Sequence, residues 1–164
     1  MTTEEITSRI ESYASGYRKI ADTLQEFPEE MRRYKPSPSQ WSIHEIIIHL
    51  SDSEAVAYAR CRTFIAEPGK QVMGYDQDLW ASHLNYHSQN TNDALELFKY
   101  LRIMTHALIK DLPYTMWNNV VNHSERGIMK FYEWLHTYDD HVTKHIGQMN
   151  RVYKNWQELQ AEHK

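Results

Sequence analysis

Prolines cut this chain into long stretches whose apolar residues recur every three or four positions, and that punctuation restricts the fold more than any other feature. In the first stretch Ile6, Ile10, Tyr13, Tyr17, Ile20, Leu24 and Phe27 alternate steps of four and three, the seam of an amphipathic helix, and Pro28 ends it. Beyond Lys35-Pro36-Ser37-Pro38 a second stretch opens with Ser42 and Glu45 in capping-box register, and Trp41 and Ile46 stand where a hydrophobic staple falls. It is expected to run to about Glu67, where Pro68-Gly69 stops it. A third carries Ala94, Leu97, Leu101, Met104 and Leu108 on one face and stops at Pro113. The fourth runs from about Lys130 into the C-terminal tail, with Phe131, Leu135, Tyr138, His141/Val142, His145, Met149, Val152 and Trp156 as its stripe.

Helical periodicity in four segments, without strong strand alternation elsewhere, argues for an all-α four-helix bundle, and residues 1–164 fit a single domain. Two connections are long for a simple bundle, and long ordered connections are often functional. The one after the second helix, from Pro68 to Asn90, holds Asp76-Gln77-Asp78-Leu79-Trp80 and a patch expected to form a short helix. The one after the third, Tyr114 to Met129, has Trp117, Val120 and Val121 before a Ser124-Glu125-Arg126-Gly127 turn, which suits a small hairpin or an irregular cover.

A net charge of −4 leaves no basic surface for phosphates, which argues against nucleic acid as a partner. No run approaches membrane-spanning length, and the acidic, amphipathic MTTEEITSRIESY start lacks the features of a signal peptide. Cys61, the single cysteine, excludes an internal disulfide and suits a cytoplasmic location; its place on an apolar helix side reads as core. The 11 tyrosines and 5 tryptophans leave room for a homodimer face.

His141 and His145 fall on the apolar stripe of the fourth helix. Residues at i and i+4 project from one face, so their ring nitrogens can converge on one cation. Buried, neutral imidazoles suit a divalent metal, but two core histidines bonded to polar neighbours fit the same spacing. The second helix offers His49, placed to face the interior with Ile46, Ser53 and Val56. Three histidines with open positions form the ligand set of a catalytic site, whereas a closed structural site wants a fourth protein ligand.

The run from Trp41 to Glu54, WSIHEIIIHLSDSE, resembles the opening of the second helix in the DinB/YfiT-like superfamily of metal-binding four-helix bundles. The stretch from His123-Ser124-Glu125-Arg126-Gly127 through Trp134-Leu135 to His141, His145 and Gln148 is similar to a second segment of that family. The first and third helices contribute only their periodicity. The resemblance implies that His49, His141 and His145 ligate a divalent ion, nickel or zinc, with water completing its shell. It further implies a metal-dependent hydrolase, or a transferase joining a low-molecular-weight thiol to an electrophile, with a small molecule as substrate.

On that reading the metal acts as a Lewis acid that makes a water or thiol nucleophilic near neutral pH. A binding or stress-response module whose metal only holds helices together is the alternative, and a helical interaction protein with core histidines is a third. No catalytic residue beyond the metal nucleophile can be singled out. Glu45, Asp52, Tyr138 and Gln148 lie within three or four residues of a candidate ligand and are the expected partners of its other ring nitrogen. His83 and His87 share the same spacing but sit in a polar segment, where a solvated or lid position is expected rather than ligation. His44 reads as a surface group, His123 as a residue at the site mouth or a loop anchor, and His106, His136 and His163 have no constellation around them.

Overall fold

A computed structural model describes residues 2–162, so His163 lies outside the described residues. The chain forms α1 (Thr3–Gln25), α2 (Ile43–Ala66), β1 (Gln71–Val72), α3 (Gln77–His83), α4 (Thr91–Ile109), β2 (Val120–His123), β3 (Gly127–Lys130) and α5 (Phe131–Glu162). The four long helices α1, α2, α4 and α5 make the bundle. Contacts join α2 with α4, α4 with α1, α1 with α5 and α5 with α2, so α1 and α2, consecutive in sequence, stand diagonally.

The expected start of α2 is present in full. Ser42 Oγ accepts from Glu45 N at 3.2 Å, and Glu45 Oε2 accepts from Ser42 N at 2.9 Å. Lys35 pairs with the other Glu45 oxygen at 2.9 Å. This cap fixes where the helix begins, and therefore which face His49 presents. Among the described residues no helix is long and apolar enough to cross a membrane.

The third helical face is phased differently from the sequence expectation. In α4 the buried positions are Ala94, Phe98, Arg102, Thr105 and Ile109. Leu97, Met104 and Leu108 are 49%, 51% and 38% exposed, so three of the five stripe residues read from the sequence face outward, while Ala94 is buried and Leu101 half-buried. The cause is Arg102, 1% exposed, whose Nε donates to Glu54 Oε2 at 3.0 Å. Its Nη1 donates to Tyr13 O at 2.7 Å and its Nη2 to Tyr138 O at 2.6 Å, while Tyr13 Oη donates to the second Glu54 oxygen. One guanidinium thus joins all four long helices, because every donor that is used finds an acceptor that would otherwise be stranded in an apolar core.

Both long connections are ordered and meet in one small sheet. β2 and β3 form the hairpin, pairing His123 with Gly127, whose φ of 71° suits a residue without Cβ. β1, from the other connection, pairs parallel to β2 through Gln71 with Asn122 and Val72 with His123. β3 passes straight into α5. The sheet therefore sits where α2 ends and α5 begins, packed against both helices.

Candidate metal centre

His49, His141 and His145 come together between α2 and α5. His141 Nε2 lies 2.9 Å from His145 Nε2 and 3.2 Å from His49 Nε2. Among the described residues this is the group of histidine, cysteine or carboxylate side chains whose ligand atoms cluster, all within 4.8 Å of one another. The α5 pair meets because one helical turn separates it. His49 joins from α2 with its ring packed on Trp41, centroids 4.8 Å apart.

The hydrogen bonds of this triangle cannot all be satisfied by the imidazoles themselves. His145 Nδ1 donates to Gln148 Oε1 at 2.9 Å, which leaves its Nε2 as a lone pair facing the others. His141 can then offer at most one proton to two neighbouring nitrogens. The Nδ1 of His49 is buried with no partner among the described residues, a vacancy that costs about 1–3 kcal/mol unless something bound at Nε2 offsets it. Burial pushes His49 down to about 3, helped by the neighbouring His145. Burial and the charges of His145 and His49 push His141 down to about 2. Burial also lowers His145, against the pull of Gln148. All three are therefore neutral near pH 7.

The donor set fits a divalent ion. Nitrogens held about 2.0–2.1 Å from one metal lie roughly 2.9–3.4 Å apart at octahedral or tetrahedral angles. The two contacts through His141 fall in that interval.

The expected ring partners separate clearly. Gln148 holds His145. Tyr138 meets His141 edge to face, centroids 6.4 Å apart, and its hydroxyl accepts from Arg60 Nη1 at 2.9 Å. Glu45 does not reach His49, because the cap and Lys35 use its carboxylate. Asp52 does not reach it either and accepts instead from Tyr86 Oη at 2.6 Å. His44, expected at the surface, is 1% exposed, with Nε2 on Tyr86 O at 2.9 Å and Nδ1 on Thr91 Oγ1 at 2.5 Å. His83 and His87 are exposed, as their polar segment implied.

A cavity of about 300 Å³ opens beside the triangle, with His49 and His141 in its wall. Its rim takes Gly74, Tyr75 and Gln77 from the first connection, and His123, Glu125 and Arg126 from the hairpin. Arg60 and Lys144 complete the charged wall. Sequence reasoning did not single out these cations, although Arg60 follows His49 by three helical turns and Ser53 by two, a same-face signal.

Comparison with known proteins agrees with the architecture. Residues 13–149 match the family described as the DinB superfamily. A protein of Oceanobacillus iheyensis named "Putative metal-dependent hydrolase" is 26% identical over 114 residues, covering 70% of this chain and 66% of the relative. One of the same name from Halalkalibacterium halodurans is 23% identical with the same coverage. The chain thus spans just under two-thirds of the length of these relatives. Among solved structures, YfiT from Bacillus subtilis, described as a probable metal-dependent hydrolase with an unusual four-helix bundle topology, superposes with a TM-score of 0.87. That match covers 95% of this chain and 90% of YfiT at 17% identity, a likeness of fold.

Proposed function

The chain belongs to the DinB superfamily, and on that premise we propose that it is a metal-dependent enzyme of the hydrolase or thiol-transferase type, with His49, His141 and His145 holding a divalent ion through Nε2. The observation that carries this reading is the triangle itself, with three neutral imidazoles whose ring nitrogens converge as a shared cation would require. The names of the two relatives point the same way. When bound, such an ion supplies Lewis-acid chemistry, lowering the pKa of a water or thiol so that an anionic nucleophile exists near neutral pH.

The protein's own residues do the rest. Gln148 fixes the His145 tautomer, and Trp41 packs against the His49 ring and limits its tilt. Tyr138 and Trp134 give the cavity an aromatic wall that excludes water from one side of a bound substrate. The cavity also favours an enzyme over a metal that merely ties α2 to α5, because a purely structural centre needs no adjoining space for a second molecule.

The test is metal content and zinc or nickel titration of untagged protein, beside a His141→Ala/His145→Ala variant. One equivalent bound by the native chain and none by the variant supports the reading. Equal, negligible binding by both would refute it. Loss of hydrolase or transferase activity on metal removal, with the fold kept, separates the enzyme from a metal-stabilised module.

A further inference from the structure

The cavity beside the histidines carries more positive charge than its surroundings account for. Arg60, Arg126 and Lys144 line it, against Glu125 as its one carboxylate. Among the described residues neither Arg126 nor Lys144 has an ion-pair partner, and Arg60 has no carboxylate partner. This is unusual in a chain of net charge −4, where acidic partners outnumber the basic groups. The chain has not neutralised these cations.

Arg60 is also held in position. Its Nη1 donates to Tyr138 Oη at 2.9 Å and its Nη2 to Met73 O, so the α5 wall and the first connection fix the guanidinium from two sides. Its Nε is buried and has no acceptor among the described residues. Tyr138 spans the gap from Arg60 to His141, one aromatic ring wide. Arg126 approaches from the hairpin tip. Arg60, His123 and Arg126 line the same cavity, and the charges of both arginines add to burial in lowering the His123 pKa, against the pull of Glu125.

We infer that this cavity takes a small organic carboxylate, its anionic group seated between Arg60 and Arg126 and its reactive carbon or sulfur directed at the histidine triangle. The inference rests on the triangle being the reactive centre, and deepens that reading by naming the substrate class. A planar guanidinium matches a carboxylate with two parallel hydrogen bonds. A phosphoryl group is less well served, since the nearby backbone donors are already used. Gly74 N donates to Ser124 Oγ at 2.8 Å, and Asp76 Oδ1 takes the first amides of α3 from Asp78 and Leu79 at 3.0 and 2.9 Å. Tyr75, Trp134 and Tyr138 offer apolar surface to the organic body.

Calorimetric titration of the full chain with succinate, with its neutral analogue succinamide and with inorganic phosphate tests the proposal. Each is run on the native protein, Arg126→Gln, Arg60→Gln and Arg60→Lys. The expected result is succinate binding that weakens with added salt, about tenfold weaker in Arg126→Gln and Arg60→Gln, and partly restored in Arg60→Lys. Arg126 is exposed and unpartnered, so its replacement leaves the fold intact and stands as the decisive variant. Succinamide binding as tight as succinate, or succinate binding unchanged by Arg126→Gln, would overturn the site. Phosphate binding tighter than succinate would overturn the carboxylate assignment. Zinc titration of the same variants keeps the two readings apart: intact zinc binding with no succinate binding refutes the anion site alone, and absent zinc binding refutes the metal centre.

Discussion

Arg102 Nε and Glu54 Oε2 lie 3.0 Å apart in the dry interior of the bundle, with side chains 2% and 1% exposed. Removing one partner of such a pair strands the other. Arg102→Met is expected to lower the unfolding free energy by about 3–5 kcal/mol, and a joint Arg102→Met/Glu54→Leu replacement to recover a large part of that loss. Urea denaturation of the single and double variants measures both values, and a double variant no more stable than the single one would contradict the account.

Gly16 makes space for the same arginine. A Cβ at this position would lie 2.1 Å from Arg102 Nη1 and 2.9 Å from its Cζ. In an open helix Gly→Ala stabilises by about 1 kcal/mol, whereas here Gly16→Ala is expected to destabilise by about 1–3 kcal/mol through overpacking. Thermal melts decide the sign.

Helix α4 shows how far sequence reading reached and where it failed. Its existence and limits were legible, because periodicity and Pro113 state them. Its phase was not, because an arginine and a threonine occupy positions that face the core while leucine and methionine face out. Polarity predicted the wrong side once a buried ion pair replaced apolar contact. Strand β1 was missed because two residues carry no period. Spacing placed the α5 pair on one face and offered His49 from α2 as an interior-facing third candidate, and the family resemblance implied all three as ligands. Glu45 and Asp52 were misjudged because their partners, Lys35 and Tyr86, lie outside the second helix. Of the cavity cations, Arg60 left a same-face signal on α2 that went unread, whereas Arg126 joins it in one cavity only through the tertiary fold.

Gln148 and Asp52 were equal candidates by spacing and are unequal in space. Gln148→Ala should weaken zinc or nickel binding about tenfold to a hundredfold by freeing the His145 ring. Asp52→Asn should leave metal affinity unchanged, because its contact is Tyr86. Competition with a chromogenic chelator reports both affinities.

His44 makes folding sensitive to acid. Burial lowers its pKa below 6.5, reinforced by Arg33 and His87 and opposed by the Tyr86 carbonyl and Glu45. The unfolded chain therefore binds more protons below about pH 6.5, and stability falls as pH drops through that value. Unfolding midpoints of metal-free protein at several pH values, compared with His44→Gln, should show a shallower acid decline in the variant.

Cys61 should be chemically silent in the native state. It is 0% exposed and burial raises its thiol to about 12. Its modification by a disulfide reagent at pH 8 is expected to proceed at the rate at which the protein opens, and to become fast in denaturant. Rapid labelling of folded protein would contradict this placement.

Because β3 enters α5 without an intervening residue, the hairpin tip is a cantilever anchored on the helix that carries His141 and His145. Substitutions at Glu125 or Arg126 change the cavity lining while the separation of the two histidines stays set by one turn of backbone. If the proposed site is the working one, a lineage built on this plan can vary its ligands at the free end while the histidine spacing stays fixed at the other.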